Sequence, residues 1–129
     1  MTLEEYDAFC ASLAGTTHVV QWGGASVWKI GGKVFAIAGW SADEELGVTF
    51  KVSDIGYEIL KDEAGLRPAP YLASRGMKWI QRTKSGFMDD DGLREHLVGS
   101  YHIVTAGLPK KRLLELGLEE LIPRKNSNR

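Results

Sequence analysis

The sequence predicts an α+β domain in which an antiparallel β-meander sheet of about five strands is packed by helices from the N-terminal, middle and C-terminal parts of the chain. Three features carry this. Thr2 and Glu5 fit the S/T-x-x-E capping box at the head of an apolar stripe. Residues 17–52 turn to β-branched and aromatic types broken by Gly23-Gly24 and Gly31-Gly32, pairs that supply the positive φ of tight hairpins. A helical period then returns after Asp89, Asp90 and Asp91, whose charge complements the positive end of a helix. Connections as short as the glycine pairs join antiparallel neighbours, because a parallel crossover needs roughly a dozen residues.

In the first helix Tyr6, Phe9, Cys10 and Leu13 fall at i, i+3, i+4 and i+7, one apolar stripe, and Gly15 ends it. Strands are expected at 18–22, 25–30, 33–40 and 46–52, with the polar run 41–45 closing the third loop. On the third strand Val34, Ala36 and Ala38 alternate with Phe35, Ile37 and Gly39, so both faces are apolar or small and the strand belongs at the centre of the sheet. Ser53 caps a second helix that turns Ile55, Ile59 and Leu60 inward and ends by Gly65. Pro68 and Pro70 cannot donate to a ladder and stiffen the backbone that follows. A fifth strand at 77–82 places Met77, Trp79 and Gln81 on one face and Lys78, Ile80 and Arg82 on the other. Trp79 therefore reads as core first and as a stacking residue second. Leu93, Leu97, Val98, Tyr101 and Val104 mark the buried side of a third helix stopped by Gly107, and a short final helix carries Leu113, Leu114 and Leu116. The domain is read as 1–122, followed by a polar tail at 123–129.

With 129 residues, 43% hydrophobic and 26% charged, the chain matches one globular domain and neither a disordered nor a fibrous class. The single cysteine, Cys10, excludes an internal disulfide and a Cys-rich zinc site, and points to a reducing compartment. On its apolar stripe it reads as a small buried hydrophobe. No apolar run approaches the roughly 20 residues of a membrane span. The acidic start MTLEEYD lacks the basic and apolar regions of a signal peptide, so a cytoplasmic location and no membrane partner are expected. His96 and His102 stand about 240° apart on one helix and cannot chelate as an i, i+4 pair; with His18 they read as ordinary surface or partly buried residues. The aspartates 89–91 lack the alternation and distal Glu of a calcium loop. No metal or cofactor is expected. There is no G-x-S-x-G, P-loop or dinucleotide fingerprint, and Ser100, mid-helix, reads as a hydroxyl bonded back to its own helix backbone or to a neighbouring helix. The expectation is a protein that is not an enzyme.

Charge is distributed unevenly. Residues 1–63 carry four Lys/Arg against ten Asp/Glu, net −6, and residues 64–129 carry twelve against seven, net +5. Such asymmetry fits an anionic partner, and it fits attraction between the two halves equally well. The segment 66–84, LRPAPYLASRGMKWIQRTK, contains no acid and holds Arg67, Arg75, Lys78, Arg82 and Lys84 beside Tyr71 and Trp79. A second basic group is Lys110, Lys111 and Arg112. Brought onto one surface, these eight cations suit a phosphate-bearing partner, with Tyr71 and Trp79 as stacking candidates. Nothing marks a recognition helix with exposed Arg, Asn or Gln in series, so base-specific reading is not expected.

The segment RPAPYLASRGMKWI, the later SYHIVTAGLPKK and the order of elements resemble the MmcQ/YjbR family of small bacterial proteins. Its members show a P-A-P-Y-L then K/G-W-V segment and an S-Y-x-L-V then L-P-K-K ending. Here Ile80 replaces the usual valine, and His102-Ile103 a charged residue and leucine. The likeness runs from the first helix to about Arg112. It implies an α+β fold similar to frataxin-like and secretion-chaperone-like proteins, and a DNA-binding role in which the hairpins form a double wing. Those hairpins are the ones around Gly23-Gly24, Gly31-Gly32 and 41–45. Asp43, Glu44 and Glu45 make the last tip acidic, and like-charge repulsion turns it from phosphate, so contact is expected through the basic segments. The chaperone-like fold implies the alternative of a protein-binding adaptor, using an exposed apolar sheet face around Trp22, Trp28 and Trp40. The expected partner is DNA or, alternatively, a protein, met by a monomer or weak dimer.

Overall fold

The computed structural model describes residues 1–41, 44–72 and 75–122; Asp43 of the acidic loop and the tail expected at 123–129 lie outside the described residues. In chain order the elements are α1 (Leu3–Ser12), β1 (Thr16–Gln21), β2 (Ala25–Ile30), β3 (Lys33–Ala38), β4 (Val48–Lys51), α2 (Asp54–Leu60), β5 (Leu66–Pro68), β6 (Trp79–Arg82), α3 (Asp90–Ala106) and α4 (Lys110–Glu115), closed by a short 3₁₀ turn at Glu119–Leu121. The strands form one antiparallel six-stranded sheet in the order β1-β2-β3-β4-β6-β5. The α+β architecture is as expected, with one strand more than the meander predicts. Pro68, opposite Ile80, ends the added strand β5. As β5 lies at the sheet edge, a residue without an N–H is tolerated there.

Local signals act as their chemistry dictates. Thr2 Oγ1 accepts from the Glu5 N–H at 3.1 Å, and Glu5 Oε1 accepts from the Thr2 N–H at 2.8 Å. Asp89 caps α3 by accepting from the Gly92 N–H at 2.8 Å, and Ser53 caps α2 through Gly56 at 3.0 Å. On α2, however, only Leu60 turns inward; Ile55 and Ile59 are 74% and 59% exposed. Seven residues give this helix barely two turns; Leu60 enters the core and the half-buried Tyr57 packs against it, so Ile55 and Ile59 fall on the outer side.

Strand β3 is central, but its alternation is broken. Trp28 pairs with Ala36 and Lys29 with Val34, leaving Phe35 as the extra residue of a β-bulge. Phe35, Ala36 and Ala38 therefore all belong to the helix-side core, whereas Val34 and Ile37 lie on the other face. The carbonyl of the unpaired residue is taken by α3. Ser100 Oγ donates to Phe35 O at 2.7 Å and accepts from the Lys51 N–H of β4 at 2.8 Å. This fully buried hydroxyl ties the helix to two strands of the sheet. Around it Tyr6, Cys10, Leu93, Leu97, Tyr101 and Val104 pack on Trp28, Ile30, Phe50 and Ile80.

Arg82 departs from the expected phosphate contact. It faces the helices, is 1% exposed, and places Nη1 3.0 Å from Asp90 Oδ1 and 3.3 Å from the Met88 carbonyl. Asp90 also receives the α-amino group of Met1 at 3.2 Å. Burial pushes the Asp90 carboxyl up, but the hydrogen bonds and charges of Arg82 and Met1 outweigh it and hold the group below its usual range. The Arg82 cation is thus committed inside the fold.

Replacing Asp90 by Asn leaves Arg82 buried without a counter-charge and is expected to destabilise the fold by about 2–3 kcal/mol in denaturant unfolding. The full cost of breaking a buried pair is not reached, because Asp90 keeps 37% of its side chain in solvent. The wild type's advantage is present above the ordinary carboxylate range and lost as pH falls through the depressed Asp90 value. Equal stabilities at neutral pH would refute this. Cys10 yields a second expectation. Burial, then the charge of Asp7, pushes its thiol up to about 12, so alkylation at about pH 8 should track global unfolding. Fast labelling of native protein would contradict that environment.

Candidate functional site

The eight expected cations do not form one surface. Besides Arg82, Arg67 is half-buried and points into the fold, with Nε donating to Gln81 Oε1 at 2.7 Å and Nη2 to the Trp40 carbonyl at 3.2 Å. Lys78 is half-buried, its ammonium 4.7 Å from the centroid of the Tyr57 ring. Arg75, Lys84, Lys110, Lys111 and Arg112 are exposed, and Arg112 Nη1 approaches Glu115 Oε1 at 3.4 Å. The chain enters α4 beside the β2–β3 turn, where a Cβ on Gly31 would come within 2.8 Å of Leu108 Cδ1. Arg75 lies by Trp22 and Trp40, at the opposite end of the same hairpin. A strand of six residues spans roughly 17–20 Å, so the two basic groups are separated by about that length. Of the stacking candidates, Trp79 is 5% exposed and belongs to the interior, whereas Tyr71 is 70% exposed.

What the fold does assemble is aromatic. On the sheet face away from the helices, Ala25, Val27 and Ile37 are covered by Val19, Val34, Trp40 and Leu72. Leu72 arrives from the connection between β5 and β6, which folds back across this face. At the rim, Trp22, Trp40, Tyr71, Leu72 and Arg75 line an open hollow of about 620 Å³. The Trp22 and Trp40 rings lie 5.8 Å apart at 33°, and Tyr71 stands edge-on to Trp40 at 5.2 Å and 80°. The first is a tilted and the second a T-shaped contact, both within the range at which aromatic rings attract.

The backbone beneath these rings is strained. Trp22, Trp40 and Tyr71 have φ of 55°, 56° and 68°, values that bulky side chains rarely adopt and that cost about 1–3 kcal/mol each. Among the described residues these are the non-glycine positions with positive φ, and all three line the hollow. Trp40 is held through its carbonyl, which accepts from Arg67 Nη2 at 3.2 Å and Gln81 Nε2 at 2.8 Å. Gln81 Nε2 also reaches the Gly39 carbonyl at 3.1 Å. A Cβ on Gly47 would fall 2.7 Å from that same Nε2, so the close packing requires glycine there.

Sequence spacing points to Trp22 and Trp40 only as part of an apolar patch, and gives no sign that Tyr71 and Arg75 join them. Trp28, the third member of that patch, is instead 8% exposed on the helix side, with Nε1 donating to Asp7 Oδ1 at 2.9 Å. Asp7 Oδ1 also accepts from Ser26 Oγ at 2.7 Å, and His18 Nε2 lies 2.7 Å from the same hydroxyl. A serine has one proton to give. Because it goes to the carboxylate, which can only accept, the histidine nitrogen is the donor to Ser26. That wiring is the reverse of a serine nucleophile, whose proton passes to histidine; the cluster ties α1 to the first hairpin. No group of three or more His, Cys, Asp or Glu able to hold a metal occurs among the described residues, and none of their helices is long and apolar enough to cross a membrane.

The crystal structure of the Deinococcus radiodurans protein DR2400, described by the family-model domain DUF419, matches with a TM-score of 0.77 at 25% identity, covering 91% of this chain and 88% of that one. No curated protein matches the sequence. The family model described as YjbR matches residues 11–103. That span begins in α1, takes in the whole sheet and the aromatic hollow, and ends within α3; with the agreement in fold, it establishes that the chain belongs to the YjbR family.

Proposed function

We propose that the protein is a non-enzymatic nucleic-acid-binding module that contacts DNA at the aromatic hollow, while exposed lysines and arginines provide the electrostatic attraction. The observation that carries this reading is Arg75 lining the same hollow as Trp22, Trp40 and Tyr71. Aromatic faces for bases, with a guanidinium for the phosphate joining them, are the two contacts that strand-binding sites combine. The lining is suited to holding a ligand, since it offers π faces and one cation instead of the carboxylate and imidazole of acid–base chemistry. Lys84, Lys110, Lys111 and Arg112 add long-range attraction without a shared contact surface. Of the two glycine hairpins likened to wings, the 22–24 turn carries Trp22 into the hollow, whereas the Gly31 turn is packed against Leu108. A cytoplasmic location fits both this partner and the protected thiol of Cys10.

A second reading, a protein-binding adaptor, draws on Trp22, 51% exposed, and on the outward Ile55 and Ile59 of α2. The two separate on salt. Labelled DNA titrated with the protein at about 50 and about 200 mM salt should bind in the micromolar range and weaken at the higher salt. Combined Ala replacements at Arg75, Lys84, Lys110 and Lys111 should lower affinity and flatten the salt slope, because fewer counterions are released. Absence of binding at the lower salt, where attraction is strongest, removes the nucleic-acid reading and leaves the adaptor.

A further inference from the structure

We infer that the hollow is a seat for an unpaired nucleobase, so that the protein selects single-stranded over duplex nucleic acid; this deepens the nucleic-acid reading and rests on it. Paired and stacked bases keep both π faces covered and show only their edges and the backbone. An aromatic wall can use a base face only when the base is unstacked. Trp22 and Trp40 already touch each other at 5.8 Å, so no base enters between them. They present adjoining faces, and Tyr71, at 80° to Trp40, closes a corner against which one base plane can be set. The volume, about 620 Å³, is in the range of pockets for single small molecules and far below what a double helix requires.

The charge pattern agrees. A duplex binder spreads many phosphate contacts along a basic face. Here Arg75 lines the hollow, Arg67 is turned into the sheet, and Lys110, Lys111 and Arg112 lie about one strand length away. One phosphate beside one stacked base is what this arrangement serves.

Arg67 and Gln81 give the seat its rigidity. Both donate to the Trp40 carbonyl, and Arg67 is in turn fixed by Gln81 Oε1. A strained residue persists where its surroundings over-determine it, and a wall set before the ligand arrives avoids the ordering cost of binding. Arg67 is thus a positioning residue that acts through Trp40.

The test compares a labelled eight-nucleotide oligo-dT with a blunt hairpin duplex, by fluorescence anisotropy at two salt concentrations. The single strand should bind about tenfold tighter or more, and Trp22→Ala should weaken it roughly fivefold or more, with recovery in Trp22→Phe. Trp22 is 51% exposed, so this variant keeps the core, and an unchanged thermal midpoint checks it. Arg75→Gln should reduce the slope of log K against log salt by about 0.7, the value for one phosphate on a single strand. Arg67→Met should lower affinity with the slope unchanged; a smaller slope would make Arg67 a direct phosphate contact and overturn its positioning role. If duplex binds as well as single strand, or Trp22→Ala has no effect while Ala replacement of Lys110, Lys111 and Arg112 abolishes binding, the seat is overturned and nucleic-acid binding stands. If neither probe binds at low salt, both fall.

Discussion

Strands β2 and β3 are apolar on both faces, and this constraint shapes the rest of the molecule. Helices α1 and α3 cover one face. The other must also be shielded from water; none of the described helices contributes to the cluster there, and Leu72 of the connection between β5 and β6 helps to cover it. Pro68 and Pro70 set its departure from the sheet edge, and Leu72 lands on the cluster of Ala25, Val27 and Ile37. A loop laid over a sheet must satisfy its own backbone. Among its described residues the Ala69 N–H donates to the Trp79 carbonyl at 3.0 Å, the Leu72 N–H to the Pro70 carbonyl at 2.8 Å and the Met77 N–H to the Leu72 carbonyl at 3.3 Å. Where this cover ends, Trp22, Trp40 and Tyr71 are left with one side packed and the other in solvent. The hollow is therefore the rim of the covering loop.

The same geometry explains why the basic segment divides. An interior strand buries both faces, so any cation on β6 or beside it must find partners within the protein. Arg82 points to the helices and meets a carboxylate. Arg67, on the edge strand opposite Gln81 on the other face, is less deeply buried, and among the described residues it donates to neutral acceptors, an amide oxygen and a carbonyl. Gln81 is fully buried, yet its amide is satisfied by Arg67, Gly39 and Trp40. A charge run in sequence carries no information on which members face outward; the register does.

Much of the fold was legible because its signals are local. Thr2 with Glu5, Ser53 and Asp89 announce helix starts, and the glycine pairs announce hairpins, since each requirement is met within a few residues. Alternation separated Trp79 from Lys78 and Arg82, and the tendency of large aromatic residues to be buried then favoured the interior position it has. What could not be read depends on partners far along the chain. The bulge at Phe35 is settled by how β3 packs between β2 and α3, and the outward turn of Ile55 and Ile59 by where a seven-residue helix touches the sheet. Pro68 in a strand is allowed only because β5 lies at the edge. The hollow was least accessible of all: positive φ at two tryptophans and a tyrosine runs against local preference, so no window of sequence suggests it. The family motif marked the segment that holds Tyr71, Arg75 and Trp79 without distinguishing the exposed residues from the buried one.

Strain and charge divide the labour between the two ends of the molecule. At one end Lys110, Lys111 and Arg112 sit on the surface of a short helix, where flexible side chains act through water over a Debye length of about 8–10 Å and require no fixed geometry. At the other end three aromatic residues hold backbone angles that each cost about 1–3 kcal/mol. An exposed aromatic residue that served only to cover the sheet could relax its φ at little loss. Trp40 cannot, because Arg67 and Gln81 hold its carbonyl, and Gly47, where a Cβ would lie 2.7 Å from Gln81 Nε2, leaves room for that contact. These hydrogen bonds offset the strain at Trp40 and fix the ring against which Trp22 and Tyr71 pack. On the proposed nucleic-acid reading, attraction falls to the end whose side chains need no fixed geometry, and contact with a base to the end where the Trp40 backbone is held.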